Sequence, residues 1–137
     1  MHRTKNWRRR SFGALICLFP VLLALASLAT AVLGEGLGTA SEAPWLCGIA
    51  LFIGLFNFSL SFVRPLWLHK VRGVHEVAGS SGAPIIGSVF AVLACTLGFG
   101  ATLTSVVALI AVALDTGGAP WFLIATWRDS TLWDDRH

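Results

Sequence analysis

Residues 84–114 read PIIGSVFAVLACTLGFGATLTSVVALIAVAL, and the length of this uncharged run decides how many helices the chain forms. As one straight helix, its 31 residues would extend about 46 Å at about 1.5 Å per residue. A hydrocarbon core is roughly 30 Å thick, so such a helix would have to tilt by roughly 50°, outside the usual range of about 0–40°. We therefore expect a hairpin that is broken around Gly98-Phe99-Gly100, with arms at about 84–98 and 101–114.

The alternative is a single long helix, and one pattern favours it. Small residues recur every three or four positions along one continuous helical face: Gly87, Ala91, Ala94, Gly98, Ala101, Ser105 and Ala108. Helices in lipid associate by close approach of their backbones along such faces. We predict that the first part of this face packs against another helix. That helix belongs either to this chain or to another protein. The predicted helix-packing surface is formed by Gly87, Ala91, Ala94 and Gly98.

Two further windows without charged residues lie at 11–34 and 43–63. Apolar residues make up 55% of the 137 positions and charged residues only 12%, about half the share found in a soluble domain. Each window can hold the roughly 20 apolar residues that a transmembrane helix needs. The second helix should end at Arg64-Pro65, because the residue before a proline is pushed out of the helical region. We predict a single-domain, all-α integral membrane protein (residues 1–137) with about four transmembrane helices arranged as two hairpins, at about 12–33, 44–63, 84–98 and 101–114.

Basic residues are concentrated in two segments. Five Lys and Arg fall within the first ten residues and three more within 64–83, whereas the link at 34–43 has two acids and no Lys or Arg. Short segments rich in Lys and Arg stay on the cytoplasmic side, so the N-terminus and the 64–83 segment are predicted to be cytoplasmic. The alternative is a cleaved signal peptide over residues 1–31. The apolar run at 12–33 is longer than the roughly 7–15 residues of a signal sequence, which favours an uncleaved first span.

Residues that commonly carry chemistry are sparse. Cys17, Cys47 and Cys95 each lie in a separate apolar window, as expected for small buried side chains. His69 and His75 are six positions apart with one neighbouring acid, so we interpret them as solvated loop residues rather than as metal ligands. We predict no catalytic residue, no metal site, no cofactor and no nucleic-acid partner.

The stretch VALDTGGAPWF at 112–122 contains Asp115-Thr116-Gly117, the three-residue signature of an aspartic protease. Such an enzyme needs two carboxylates that share one proton, and strands that hold them. Only 20 residues follow Gly117, and those before Asp115 belong to an apolar helix. We interpret the stretch instead as a helix break, followed by a short interfacial helix at 120–127; the residues of this turn are Asp115, Thr116, Gly117, Gly118 and Pro120.

Two depths fit Asp115. The expected one is the inner membrane surface, where residues 120–127 lie flat and the carboxylate meets water just before the short helix, whose free N–H groups attract oxygen. Gly117 and Gly118 would then permit the positive φ of a helix stop. The alternative places Asp115 inside the bilayer within a discontinuous helix, where an ionisable group indicates an ion or proton site.

The pattern SGAPIIGS … DTGGAPWF, within about residues 79–122, resembles small multi-pass bacterial inner-membrane proteins of uncharacterised function. The resemblance implies a helical fold and an address in the bacterial inner membrane. It carries no catalytic residues over to this chain.

The patterns together predict a non-enzymatic protein of the lipid bilayer that acts by helix packing, either with a membrane-protein partner or with further copies of itself. Two alternatives remain open. One is an immunity protein against a membrane-active toxin, and the other is a small transporter or ion-conducting oligomer that uses Asp115.

Overall fold

The computed structural model describes residues 3–36, 40–72, 82–83 and 85–136, and within them the chain is helical apart from one short strand pair. That pair joins Arg3–Thr4 to Asp135–Arg136 in antiparallel register, so these two segments lie side by side. Three stretches are long and apolar enough to cross a membrane, and a shorter apolar helix accompanies them. The prediction of an all-α membrane protein is confirmed.

The first helix, α1 (Trp7–Leu33), begins earlier than predicted because Asn6 caps it. The Asn6 side chain accepts the backbone N–H of Arg9, which gives one free N–H of the first turn a partner. The helix passes through Pro20 and ends at Gly34, whose φ of 76° is the left-handed conformation of a C-terminal cap.

The second helix, α2 (Ala43–Phe58), continues through a π-helical segment (Ser59–Val63) into α3 (Arg64–Arg72). The prediction that it ends at Arg64-Pro65 is wrong. The Arg64 N–H donates to Ser59 O, five residues back, and Arg64 itself stays helical at φ −61° and ψ −48°. A proline ring clashes with the carbonyl one turn earlier in a regular α-helix. The wider π turn moves that carbonyl away, so the helix accepts Pro65.

The hairpin predicted for residues 84–114 is confirmed, and the single long helix is wrong. Helix α4 (Ile86–Leu97) and helix α5 (Thr102–Leu114) are separated by a turn in which Gly100 has a φ of 81°. Only glycine adopts such a φ readily. At 12 residues, α4 is about 18 Å long and therefore shorter than a hydrocarbon core.

The core of the bundle consists of small side chains, while large apolar side chains face outward. Ala24, Ala50, Ala94 and Ala108 have no exposed surface. The predicted packing surface on α4 is buried at all four of its residues, Gly87, Ala91, Ala94 and Gly98. It meets α2 and α5 of the same chain, so this surface packs within the protein. The three cysteines are buried, as predicted.

Two short helices, α6 (Ala119–Thr126) and α7 (Ser130–Trp133), follow α5 and return along α1. Leu123 packs beside Cys17, and one guanidinium nitrogen of Arg10 donates to Trp127 O at 2.8 Å. Helix α6 therefore runs antiparallel to the first turns of α1. An interfacial position for residues 120–127 stays a prediction. The small residues on that side of α1 allow this close approach; Gly13 there meets the ring of Trp133.

A buried ion pair fastens the end of the chain to α1. Arg10 Nε lies 2.8 Å from Asp134 Oδ1, and a second guanidinium nitrogen lies 2.9 Å from Oδ2. Both residues are buried, and the guanidinium stands 5.4 Å from the ring centroid of Trp127. The hydrogen bonds from Arg10 hold the pKa of the Asp134 carboxyl below its usual range, so the pair stays ionised at neutral pH.

Candidate functional site

The helix break predicted after Leu114 is confirmed, since α5 ends there and α6 begins at Ala119. A break leaves backbone carbonyls without helical partners, and in lipid no water is present to replace them. The indole N–H of Trp121 donates to Ala113 O at 2.9 Å and supplies one. Pro120 lies in the first turn of α6, as predicted.

The glycines of the break permit close packing rather than a left-handed turn. Gly118 has a φ of −76°, and the positive φ values in the described ranges occur elsewhere, at Gly34, Ile85 and Gly100. The expectation of positive φ at Gly117 and Gly118 is therefore wrong. A Cβ at Gly118 would stand 2.5 Å from Ser88 Oγ and 2.7 Å from Asp115 Oδ2, so a side chain there would displace both.

Asp115 lies inside the bundle, and the expectation that it meets water at the membrane surface is wrong. The residue has no exposed surface. Its Oδ1 accepts a hydrogen bond of 2.6 Å from Asn57 Nδ2, and its Oδ2 accepts one of 3.3 Å from Ser88 Oγ. The burial of Asp115 follows from the course of α6. Because α6 continues along α1, the break between α5 and α6 is enclosed by α2 and α4.

The orientation of the Asn57 amide is fixed by its other partners. Asn57 Oδ1 accepts the backbone N–H groups of Gly82 and Ala83, both at 3.1 Å, and Nδ2 also donates to Ala83 O at 3.1 Å. An oxygen must occupy the position that receives two N–H donors, so the NH₂ group must face Asp115. Asn57 thus ties the segment before α4 to α2 and presents a donor to the carboxylate.

The start of α4 is also attached to the break. Ile85 N–H donates to Gly117 O at 2.9 Å, and Ile85 has a φ of 68°, a strained value for a β-branched residue. The first free N–H of α6, that of Ala119, donates to Ser88 Oγ at 3.2 Å. Ser88 therefore takes the capping role that the sequence suggests for Asp115.

Gly87 makes room for the carboxylate. A Cβ at this position would stand 2.5 Å from Asp115 Oδ2 and 2.9 Å from Asp115 Cγ. Gly87 belongs to the packing surface that the sequence predicts, and its neighbours are the buried acid and Ile53 of α2. On the α4 side, Asp115 is thus packed against a residue without a side chain.

Positive charge is absent around this acid in the part of the chain that the structure describes. Within the described residues, the ion pair joins Arg10 to Asp134, away from this site. The side-chain partners of Asp115 are an amide and a hydroxyl group. An unpaired buried carboxylate is costly to keep ionised, and two hydrogen-bond donors offset part of that cost. In the described ranges, this carboxylate is therefore held by neutral hydrogen-bond donors alone.

A pair of hydroxyl groups lies next to the site along the chain. Ser61 Oγ and Thr116 Oγ1 are 2.7 Å apart, and both residues are half-buried. Ser61 belongs to the π-helical segment, and π turns inside α-helices are frequent at functional sites. Thr116, predicted as part of the turn, thus anchors the break to the π-helical segment that follows α2.

Two residues of the site, Asn57 and Ser88, were missed from the sequence. Each lies in an uncharged window among apolar neighbours, where amide and hydroxyl side chains need a partner. Asn57 gave a detectable signal, because it is the sole Asn or Gln within the window 43–63. Ser88 gave none, since hydroxyl residues are common in the helices of this chain.

No cluster of three or more potential metal ligands occurs among the described residues, and His75 lies outside them. No family model, curated protein or solved structure matches the chain.

Proposed function

We propose that this chain is a small, non-enzymatic membrane protein whose working group is the carboxylate of Asp115, which takes up and releases a proton inside the helix bundle. A small proton transporter or proton-conducting oligomer uses a group of this kind. One observation carries the proposal: a fully buried acid at a helix break has hydrogen-bond donors and, within the described residues, no cationic partner. Ionisable groups within membranes are characteristic of ion and proton pathways.

The partners of Asp115 favour a proton over a metal cation. A bound Na⁺ or Ca²⁺ needs oxygen ligands directed at it, whereas Asn57 directs an NH₂ group at Oδ1. Protonation at Oδ2 would require the reversal of one hydrogen bond. The carboxyl would then donate to Ser88 Oγ, while Asn57 would continue to donate to Oδ1.

The break gives protonation a mechanical consequence. Ser88 joins the carboxylate to the first N–H of α6. Gly118 lies so close that a Cβ there would stand 2.7 Å from the same carboxylate oxygen. A change of charge on Asp115 alters the hydrogen bonds that hold α6 against α4. Discontinuous helices serve this purpose in membrane transporters, where half-helices meet at the ion site.

Packing against a separate membrane partner and immunity to a toxin are the other functions that the sequence predicts. The small-residue surface of α4 that suggested packing is covered by α2 and α5, so it lends no support to an external partner. Both functions stay predictions.

We also propose that the membrane is the bacterial inner membrane and that the N-terminus is cytoplasmic. The resemblance noted above supports the first statement, and the distribution of Lys and Arg supports the second. The contacts fit this layout. Arg10 and Asp134 meet at one end of the bundle, while the α1–α2 link meets the α4–α5 turn at the other, where Ala40 N–H donates to Leu97 O at 3.2 Å.

Proton flux into liposomes tests the function. The purified chain is reconstituted with a pH-sensitive dye trapped inside, and a potassium diffusion potential drives protons inward. We expect flux from the wild-type protein and at least a tenfold lower rate from Asp115→Asn, because the amide has nearly the same shape but cannot exchange a proton.

The matched control is Glu35→Gln, which changes an exposed acid outside the bundle and should leave the flux unchanged. Equal flux from wild type and Asp115→Asn, at equal protein content, would contradict the proposed function.

A further inference from the structure

An open concavity of about 550 Å³ lies at the start of α1 and is lined by Asn6, Arg8, Arg9 and Phe12. We propose that it binds the phosphate head group of an anionic phospholipid. The site is separate from Asp115, so this inference does not rest on the proposed function.

The consecutive residues Arg8, Arg9 and Arg10 have different surroundings. The Arg10 side chain is buried and makes three hydrogen bonds, two to Asp134 and one to Trp127 O. The side chains of Arg8 and Arg9 are exposed and have no ion pair or hydrogen bond in the described ranges. Two guanidinium groups therefore remain available at the rim of the concavity.

Guanidinium groups match phosphate in charge and shape. Each presents parallel N–H donors that can bind two phosphate oxygens at once, and such charge-assisted bonds are stronger than neutral ones. Two neighbouring guanidinium groups offer enough donors to surround a phosphodiester. The concavity thus has the charge and the donors that this anion requires.

The position of the concavity indicates a lipid rather than a phosphate ion in solution. Phe12 is the first apolar residue of α1 after the three arginines. It lies three positions after Arg9 and four after Arg8, so it shares their side of the helix. An exposed apolar stripe continues beneath it through Leu15, Ile16 and Phe19. A phosphate held by the arginines would therefore lie at head-group depth, with its acyl chains along this stripe.

The test uses the full chain in non-ionic detergent, titrated with dioctanoyl phosphatidylglycerol and observed by native mass spectrometry. We expect one saturable lipid and an affinity about 25-fold lower for the double variant Arg8→Gln/Arg9→Gln, since each arginine contributes about fivefold. Both side chains are exposed, so the variant should elute and melt like the wild type. The matched control is Arg64→Gln, which changes another exposed arginine far from this concavity in the sequence and should alter the affinity less than twofold.

Three results would overturn the proposal. An equal loss in Arg64→Gln would show diffuse attraction instead of a site. Equal binding of dioctanoyl phosphatidylcholine would show that the negative charge is not recognised. Binding of glycerol 3-phosphate as tight as that of the lipid would indicate a site for a soluble phosphate.

Discussion

Replacing Gly87 with leucine should prevent the bundle from closing around Asp115. Because a Cβ alone would stand 2.5 Å from Asp115 Oδ2 and 3.2 Å from Ile53 Cγ2, a full leucine side chain has to separate α4 from both α2 and the break. Overpacking of this kind typically lowers the free energy of unfolding by about 1–3 kcal/mol. Because the leucine also displaces a buried acid from its donors, we expect a total loss of about 3 kcal/mol or more. The free energy of unfolding, measured by titrating detergent micelles with dodecyl sulfate, checks the expectation.

Two controls separate the carboxylate from packing in general. Val89→Leu alters an exposed position two residues along α4 and should change the free energy of unfolding by less than about 0.5 kcal/mol. Ala94→Leu overpacks the same buried surface at a fully buried residue away from the break, so it should destabilise the bundle while leaving the hydrogen bonds of Asp115 intact. If Gly87→Leu unfolded no more readily than Val89→Leu, the close approach of α4 to Asp115 would be refuted.

Replacing Asn57 with leucine should lower the free energy of unfolding about as much as Gly87→Leu does. The cause here is polar groups left without hydrogen-bond partners, not steric overlap. The side chain has no exposed surface and serves the N–H groups of Gly82 and Ala83 as well as Asp115 Oδ1. Leucine has a similar volume but no hydrogen-bonding atoms, and each buried group left without a partner costs about 1–3 kcal/mol. We expect a net loss of about 2–5 kcal/mol in the free energy of unfolding, together with loss of proton flux.

The matched control for Asn57→Leu is Ser59→Ala. The Ser59 hydroxyl donates to Leu55 O within its own helix and is exposed, so its removal should cost less than about 0.5 kcal/mol. A leucine variant as stable as Ser59→Ala would mean that Asn57 does not hold the segment before α4.

Much of the fold could be predicted because it depends on length and local composition. The run at 84–114 was too long for one span and had glycines at its centre, and Asp115–Gly118 interrupted an apolar helix; both breaks are found where expected. The passage of a helix through Pro65 could not be predicted, because it depends on the π turn at Ser59–Val63.

The site itself depends on contacts between distant parts of the chain, and this limits what the sequence alone can predict. The depth of Asp115 follows from α6 packing along α1, which the pair of Arg10 and Asp134, 124 positions apart, holds in place. The partner of Asp115 on α2, Asn57, is 58 positions away. The sequence at 112–122 is compatible with either a buried or a solvent-exposed Asp115, so it could not decide between these two positions.

The most direct test of the central claim is pH-dependent infrared difference spectroscopy on the chain reconstituted in lipid, because it detects protonation of a carboxyl group itself. We expect a protonated-carboxyl C=O band that changes with pH, is absent in Asp115→Asn and persists in Glu35→Gln. The same carboxyl bands in the wild type and in Asp115→Asn, across the whole pH range in which the bundle stays folded, would contradict proton exchange at Asp115.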